Sequence, residues 1–132
     1  MKAGQHRGMR SSLARVRGLG SAKEGVVHWW AQRVTAIALV PLSVWLAGNF
    51  VALAGAKHEA VVAWIASPVG TVLMLLSIAA IFHHAQLGLQ VVIEDYVHGE
   101  GLKLAALLAV KGLAILLATI AGLAVLSISL GA

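Results

Sequence analysis

Cysteine is absent from this 132-residue chain, which excludes disulfide bonds, thiolate metal sites and thiol catalysis. Charged side chains are also scarce. They make up 11% of the residues, whereas a soluble domain carries about a quarter. Because 60% of the residues are hydrophobic and the mean hydropathy is +0.90, the chain cannot cover a water-facing surface. The composition therefore predicts a membrane protein.

The net charge of +5 does not indicate a nucleic-acid partner, because the basic residues are grouped at one end. Most of them stand before the first long apolar run: Lys2, Arg7, Arg10, Arg15, Arg17, Lys23 and Arg33. This positive-inside pattern predicts a cytoplasmic N-terminus. Residues 1–27 are predicted to form a basic tail, and residues 28–132 a single anchor domain. An organellar transit peptide is the alternative for an Arg-rich, acid-poor start.

Three apolar stretches are long enough to cross a bilayer, which takes about 20 residues of helix. We predict spans at about 32–54, 69–95 and 104–128. The uncharged run 60–93 is too long for one span, and Pro68 divides it. Its first part, with Trp64, is predicted to be a short interfacial helix. The fold class is thus an all-α membrane protein with three transmembrane helices, and its C-terminus lies in the periplasm.

Two adjacent histidines, His83 and His84, lie deep inside the second span. Ionisable side chains in a membrane helix are costly, so they are read as functional by default. His84 and Asp95 are eleven residues apart, which is nearly three full turns, so they share one helix face about 16 Å apart. Gly88 lies on that face one turn from His84. A histidine beside a glycine suits a flat ligand such as haem, since the imidazole supplies an axial bond and the glycine leaves room for the ring.

His83 lies on a competing face with Gln86, Gln90 and Glu94, a set that could form a polar seam against a partner helix. Periodicity favours His84 as a ligand without excluding His83. Either histidine could instead hydrogen-bond to a neighbouring helix. One helix face supplies one axial ligand, and the other histidines of the apolar region lie near the membrane surfaces. A second axial ligand would therefore come from another chain.

Asp95, Tyr96 and Arg33 are predicted to lie on the cytoplasmic side of the membrane. Tyr96 could donate a hydrogen bond to a quinone carbonyl, with Asp95 tuning it or relaying protons. Arg33 could neutralise haem propionates or polarise a quinone oxygen. The alternatives are an interfacial tyrosine at a helix end and a positive-inside anchor.

The segments that carry these residues resemble one family. The start of the first span reads His28-Trp29-Trp30-Ala31-Gln32-Arg33-Val34-Thr35-Ala36, and the second span ends with His84-Ala85-x-x-Gly88-x-Gln90-Val91-x-x-x-Asp95-Tyr96. In order and spacing this pattern resembles the hydrophobic membrane anchor subunits of succinate dehydrogenase, respiratory complex II, of the alphaproteobacterial type. The resemblance covers about residues 18–130, and its specific part is the spacing from His84 to Asp95-Tyr96.

The resemblance implies a heterotetramer in the bacterial cytoplasmic (inner) membrane that joins the tricarboxylic acid cycle to the respiratory chain. A flavoprotein with FAD oxidises succinate, and an iron–sulfur subunit passes the electrons on. Two hydrophobic anchor subunits, of which this chain would be one, hold both at the membrane and form the ubiquinone site. By this resemblance the chain contributes to the quinone site but performs no succinate chemistry itself.

Residue by residue, the resemblance implies that His84 is an axial ligand of a b-type haem iron, opposite a histidine of the other anchor subunit. Tyr96 matches the quinone hydrogen-bond donor, and Asp95 matches the neighbouring acid. Arg33 matches the basic residue near the haem propionates and the quinone pocket.

Other functions stay open on the sequence. A fumarate reductase anchor would run the reverse reaction with menaquinone. A small proton-coupled transporter or channel protomer would use His83, His84 and Asp95 as a proton path. A purely structural anchor would use the histidines only for hydrogen bonds between helices. Glu94 and Lys111 lie outside the family pattern and bear on the charge near the quinone pocket.

Overall fold

The computed structural model describes residues 23–131, and within them the chain is helical apart from short connections. Four helices follow one another: α1 (Lys23–Ala52), α2 (His58–Ala66), α3 (Pro68–Tyr96) and α4 (Glu100–Leu130). Three of them are long and apolar enough to cross a membrane. The predicted all-α membrane fold, with three spans and a short helix before the second, is confirmed. Most of the predicted basic tail, residues 1–22, lies outside the described residues.

The long helices extend beyond the predicted spans. They contain 30, 29 and 31 residues, which gives each a length of about 45 Å, whereas the hydrocarbon core is about 30 Å thick. Apolar windows predict only the embedded part, while backbone hydrogen bonding continues the helix past it. α1 accordingly includes residues 23–27, which lie in the predicted tail. Its other end falls slightly earlier than predicted, at Ala52, and the chain turns through Gly55 with a φ of +79°.

The turn between α2 and α3 is held by Ser67. Its hydroxyl donates to the carbonyl oxygen of Trp64 (2.7 Å) and accepts from the backbone N–H of Gly70 (3.0 Å). Pro68 takes the first position of α3, where its missing N–H leaves no helix bond unmade. Gly70 is buried against the Trp64 carbonyl, and a Cβ there would overlap that oxygen. The predicted division at Pro68 is therefore correct, and Trp64 also stacks on Trp45 of α1.

The three long helices form a row with α3 in the middle. α3 packs against α1 and α4, and in the part of the chain that the structure describes the backbones of α1 and α4 do not come close to each other. Such a row encloses little interior, and its buried side chains are Ser77, Leu87 and Val125. Most large apolar side chains are exposed, as is expected for surfaces that meet lipid or other proteins.

Candidate functional site between α1 and α3

His84 lies in the middle of α3 and faces α1. Its Nδ1 atom is 2.9 Å from the hydroxyl oxygen of Thr35, a contact between residues 49 positions apart in the chain. Both side chains are half-buried. This hydrogen bond holds α3 against α1 at one rotation and one depth, so the direction of the imidazole ring is set by a second helix.

The other partners of Thr35 decide which ring nitrogen of His84 is free. The hydroxyl has one hydrogen, and the carbonyl oxygens of Ala31 (2.8 Å) and Gln32 (3.1 Å) both lie within its reach. Threonine in a helix commonly donates to the preceding turn in this way. We therefore assign a hydrogen to Nδ1 of His84, which donates it to Thr35. Nε2 is left with a free lone pair, as a metal-binding imidazole requires.

A cavity of about 650 Å³ opens between α1 and α3 beside this histidine. Its wall includes His84, Gly88 and Arg33, together with His28 and Gln32. Gly88 widens it, because a Cβ at this position would meet only the Nε2 atom of Gln32, at 3.8 Å. Small-molecule sites in proteins measure about 300–1,000 Å³. The structure thus brings His84, Gly88 and Arg33 to one cavity of ligand size.

Two buried polar atoms of the cavity wall have no hydrogen-bond partner among the residues that the structure describes: Nε2 of His28 and Oε1 of Gln32. Leaving such an atom unpaired costs about 1–3 kcal/mol. Water, or a bound ligand with hydroxyl groups, would satisfy both, because the Gln32 oxygen needs a donor. His28 precedes Thr35 by seven residues on α1, about 10 Å along the helix axis, so it lies at a different depth from His84.

Arg33 is held at the cavity wall by an aromatic neighbour. Its Cζ atom is 5.1 Å from the ring centroid of Trp29, which in turn meets Trp30 edge-on. A cation–π contact restrains the guanidinium while its N–H groups stay available as donors. Because Arg33 is exposed and lines the cavity, it presents a fixed positive charge to any anionic group that enters.

Asp95 and Tyr96 do not line this cavity. They are the last residues of α3, and both are exposed, Tyr96 at 77%. The cavity wall ends at Val91, one helical turn before Asp95. Within residues 23–131 neither side chain forms a hydrogen bond or an ion pair. The two side chains therefore stand beyond the cavity, free to meet a ligand or another chain.

No three His, Asp or Glu side chains of the described region lie close enough to hold a metal ion by themselves. Haem iron needs fewer protein ligands than a free metal ion, because the porphyrin supplies the equatorial ligands and the protein only the axial ones. One imidazole with a free Nε2, a missing side chain at Gly88 and a cationic group at Arg33 fit one side of a haem. The residues present are therefore compatible with a haem whose other axial ligand lies outside this chain.

The model of a protein family described as "Succinate dehydrogenase/Fumarate reductase transmembrane subunit" matches residues 7–126, nearly the whole chain. The chain belongs to this family. Membership favours a respiratory membrane anchor over the transporter or channel alternative. No solved structure gives a significant match.

Curated relatives narrow the membership to succinate dehydrogenase. A "Succinate dehydrogenase hydrophobic membrane anchor subunit" of Rickettsia bellii is 37% identical over 107 residues, covering 81% of this chain and 86% of the relative. The protein of the same name from Paracoccus denitrificans is 32% identical, covering 81% and 84%. A "Succinate dehydrogenase membrane anchor subunit" of Reclinomonas americana is 28% identical, covering 70% and 80%. Together with the three apolar helices, these matches make the chain a multi-pass membrane anchor subunit of succinate dehydrogenase.

Sequence reasoning missed Thr35. It is the one hydroxyl side chain between Gln32 and Leu42, and this was the available signal. A polar group isolated in a span needs a partner, and the nearest candidate on another helix was His84. Periodicity along a single helix carries no information about pairing between helices, so the contact stayed hidden.

Proposed function

We propose that this anchor subunit binds one side of a b-type haem through Nε2 of His84 and helps to form a ubiquinone-reduction site at Arg33, Asp95 and Tyr96. The observation that carries the proposal is the Thr35–His84 hydrogen bond, which leaves Nε2 free beside a cavity that Gly88 widens. In this role the chain serves electron transfer, while succinate oxidation belongs to partner subunits.

Three residues would hold the haem, each in a different way. His84 would ligate the iron, Gly88 would let the flat ring approach the backbone of α3, and Arg33 would pair with the propionates. A bound b-type haem supplies a one-electron carrier inside the membrane. The second axial ligand would be a histidine of the other anchor subunit, since the remaining histidine of the cavity wall, His28, lies at a different depth.

The quinone site would lie at the end of α3. Reduction of ubiquinone to ubiquinol takes up two electrons, which the iron–sulfur subunit delivers, and two protons. The Tyr96 hydroxyl would donate a hydrogen bond to one quinone oxygen, and the Arg33 guanidinium would stabilise negative charge that develops on the ring oxygens. The exposed Asp95 carboxylate would pass protons from the aqueous side. The exposure of Tyr96 supports a site that partner subunits complete.

The haem arm is tested by removing the ligand. We expect His84→Leu to abolish the dithionite-reduced b-type absorption band of the purified complex, because no other imidazole of the described residues lies at that depth on the cavity wall. His83→Leu is the matched control, since it removes a histidine one position away and should keep the band. A band that survives His84→Leu would exclude His84 as the ligand.

The quinone arm is tested at Tyr96. We expect Tyr96→Phe to lower succinate:ubiquinone reductase activity at least tenfold, in line with the loss of one preorganised donor. Succinate oxidation with an artificial acceptor should stay at the wild-type rate, because that reaction bypasses the membrane site. If both activities fell together, Tyr96 would instead be a residue needed for assembly.

A further inference from the structure

The connection between α3 and α4 begins directly after two residues of the proposed quinone site. Asp95 and Tyr96 end α3, and only residues 97–99 separate them from the first residue of α4. Neither side chain is held by a hydrogen bond or an ion pair within residues 23–131. The positions of both side chains therefore depend on how firmly the backbone of this turn is fixed.

The end of α3 lacks the features that commonly close a helix. The last four carbonyl oxygens of a helix have no intrahelical partner, and a left-handed glycine or a basic side chain in the last turn often compensates. α3 has no basic residue in its last turn, and no residue of the connection has a positive φ. The Val97 N–H bonds the carbonyl oxygen of Ile93 (3.0 Å). The next carbonyl oxygen, that of Glu94, needs a donor from elsewhere.

Lys103 of α4 supplies that donor. Its Nζ atom is 3.0 Å from the carbonyl oxygen of Glu94, and its backbone N–H bonds the carbonyl oxygen of Gly99 (2.7 Å). One residue thus holds both ends of the connection, the last turn of α3 through its side chain and the start of α4 through its backbone. The ammonium also meets the negative end of the α3 helix dipole, which favours a cation at this place.

The Glu94 carboxylate does not compete for this ammonium. Its Oε1 atom accepts from Nε2 of Gln90 (2.8 Å), one turn earlier on α3. Within residues 23–131 no carboxylate oxygen lies within 4.0 Å of the Lys103 ammonium. Lys103 is half-buried, whereas a lysine that only anchors a helix at the membrane surface extends its charge into water. The described polar partner of its side chain is therefore the backbone of the turn.

We propose that Lys103 is a positioning residue of the quinone site, an inference that rests on the proposed function of Asp95 and Tyr96. Its ammonium holds the carbonyl group of Glu94, one residue before Asp95, and so sets the direction in which both side chains leave α3. Lys103 does not touch the quinone itself. Because a displacement of about 1 Å can lower an enzymatic rate about 100-fold, loss of this bond lowers activity although Tyr96 is intact.

The test compares lysine variants of the assembled complex. Lys103→Met keeps an unbranched side chain and removes the donor, and we expect it to lower kcat for ubiquinone about tenfold, as for a displaced hydrogen-bond donor. Succinate oxidation with an artificial acceptor should keep the wild-type rate. Lys103→Arg keeps a donor that can reach the carbonyl and should restore most of the activity. Lys57→Met is the matched control, because Lys57 is exposed at the opposite end of α1 and its side chain caps no helix.

A double variant separates positioning from a general loss of structure. A residue that acts through another adds little further loss once the other has been changed. The combination of Lys103→Met with Tyr96→Phe should therefore lose clearly less activity than the product of the two single losses. Hydrogen–deuterium exchange gives a readout that does not depend on activity. Lys103→Met should raise exchange in the peptide that covers residues 93–99, and Lys103→Arg should restore its protection.

Three results would overturn the proposal while Tyr96→Phe still lowers ubiquinone reduction, so that the proposed function stands. The first is a wild-type rate in Lys103→Met. The second is a double variant whose loss equals the product of the single losses. The third is Lys103→Arg as impaired as Lys103→Met. If Tyr96→Phe leaves ubiquinone reduction unchanged, the proposed function fails, and Lys103 then positions no quinone ligand even where exchange responds. Lys103→Gln, whose side chain is too short to reach the carbonyl, carries the test if Lys103→Met does not assemble.

Discussion

The hydrogen bond from His84 to Thr35 gives a prediction that separates a positioned haem ligand from a histidine that merely packs. Thr35→Val keeps the shape of the side chain and removes its hydroxyl oxygen. The imidazole then loses the acceptor for its Nδ1–H at 2.9 Å, and the half-buried N–H group is left unpaired. The carbonyl oxygen of Ala31 loses only a second donor, because it already accepts a backbone hydrogen bond within the helix.

The size of the effect follows from what the lost bond does. A group that orients a metal-binding histidine contributes about 10- to 100-fold to metal affinity, which is about 1.4–2.7 kcal/mol. We therefore expect Thr35→Val complexes to lose haem at a dilution at which wild-type complexes keep it. The haem that remains should show a shifted midpoint potential, because the imidazole loses the bond that raises its basicity.

The assay compares haem per flavin in the assembled complex, together with a spectroelectrochemical titration of the b-type band. Thr35→Ser restores the hydroxyl and should restore both quantities, whereas a purely structural role of the threonine methyl group would not be rescued by serine. The reasoning is refuted if Thr35→Val matches the wild type in haem content and in potential, or if Thr35→Ser is as impaired as Thr35→Val.

Substitutions at two further positions probe glycines with different roles. Gly88→Leu should prevent haem binding by filling the cavity. Gly88→Ala should assemble normally but bind less haem, since its Cβ has ordinary clearance from the protein. Haem content per complex measures both effects, and full haem content in the leucine variant would contradict the cavity assignment. Gly70→Ala should lower stability by about 1–3 kcal/mol, seen as an earlier thermal loss of the complex, because the Cβ overlaps the Trp64 carbonyl. Gly48→Ala is its control, as nothing lies within 4 Å of that position, and equal melting of the two variants would count against the turn geometry.

Much of the fold follows from local signals in the sequence. Three apolar stretches and Pro68 predict the order of the helices, which the structure confirms. That residues 23–27 belong to α1 was not predictable from hydropathy, because a helix continues where the apolar window ends. The order of the helices depends on residues close together in the chain, and for that reason it could be predicted.

The site is less visible in the sequence, because it depends on how two helices are rotated and aligned. The pairing of Thr35 with His84 and the unpaired atoms of His28 and Gln32 arise only when α1 and α3 are in register. Asp95 and Tyr96 illustrate the other limit. Their positions at the end of α3 are clear, yet none of the described residues covers Tyr96.

The row of helices has a consequence for how this protein matures. With α3 between α1 and α4 and few side chains buried, the described part of the chain has almost no core of its own. The Thr35–His84 bond nevertheless joins two of its helices without any cofactor. We expect the newly inserted chain to hold α1 and α3 together at the His84 cavity before any cofactor binds, while it depends on neighbouring subunits for most of its stability. Copies without partners should therefore be short-lived, and their amount should not exceed that of the assembled complex.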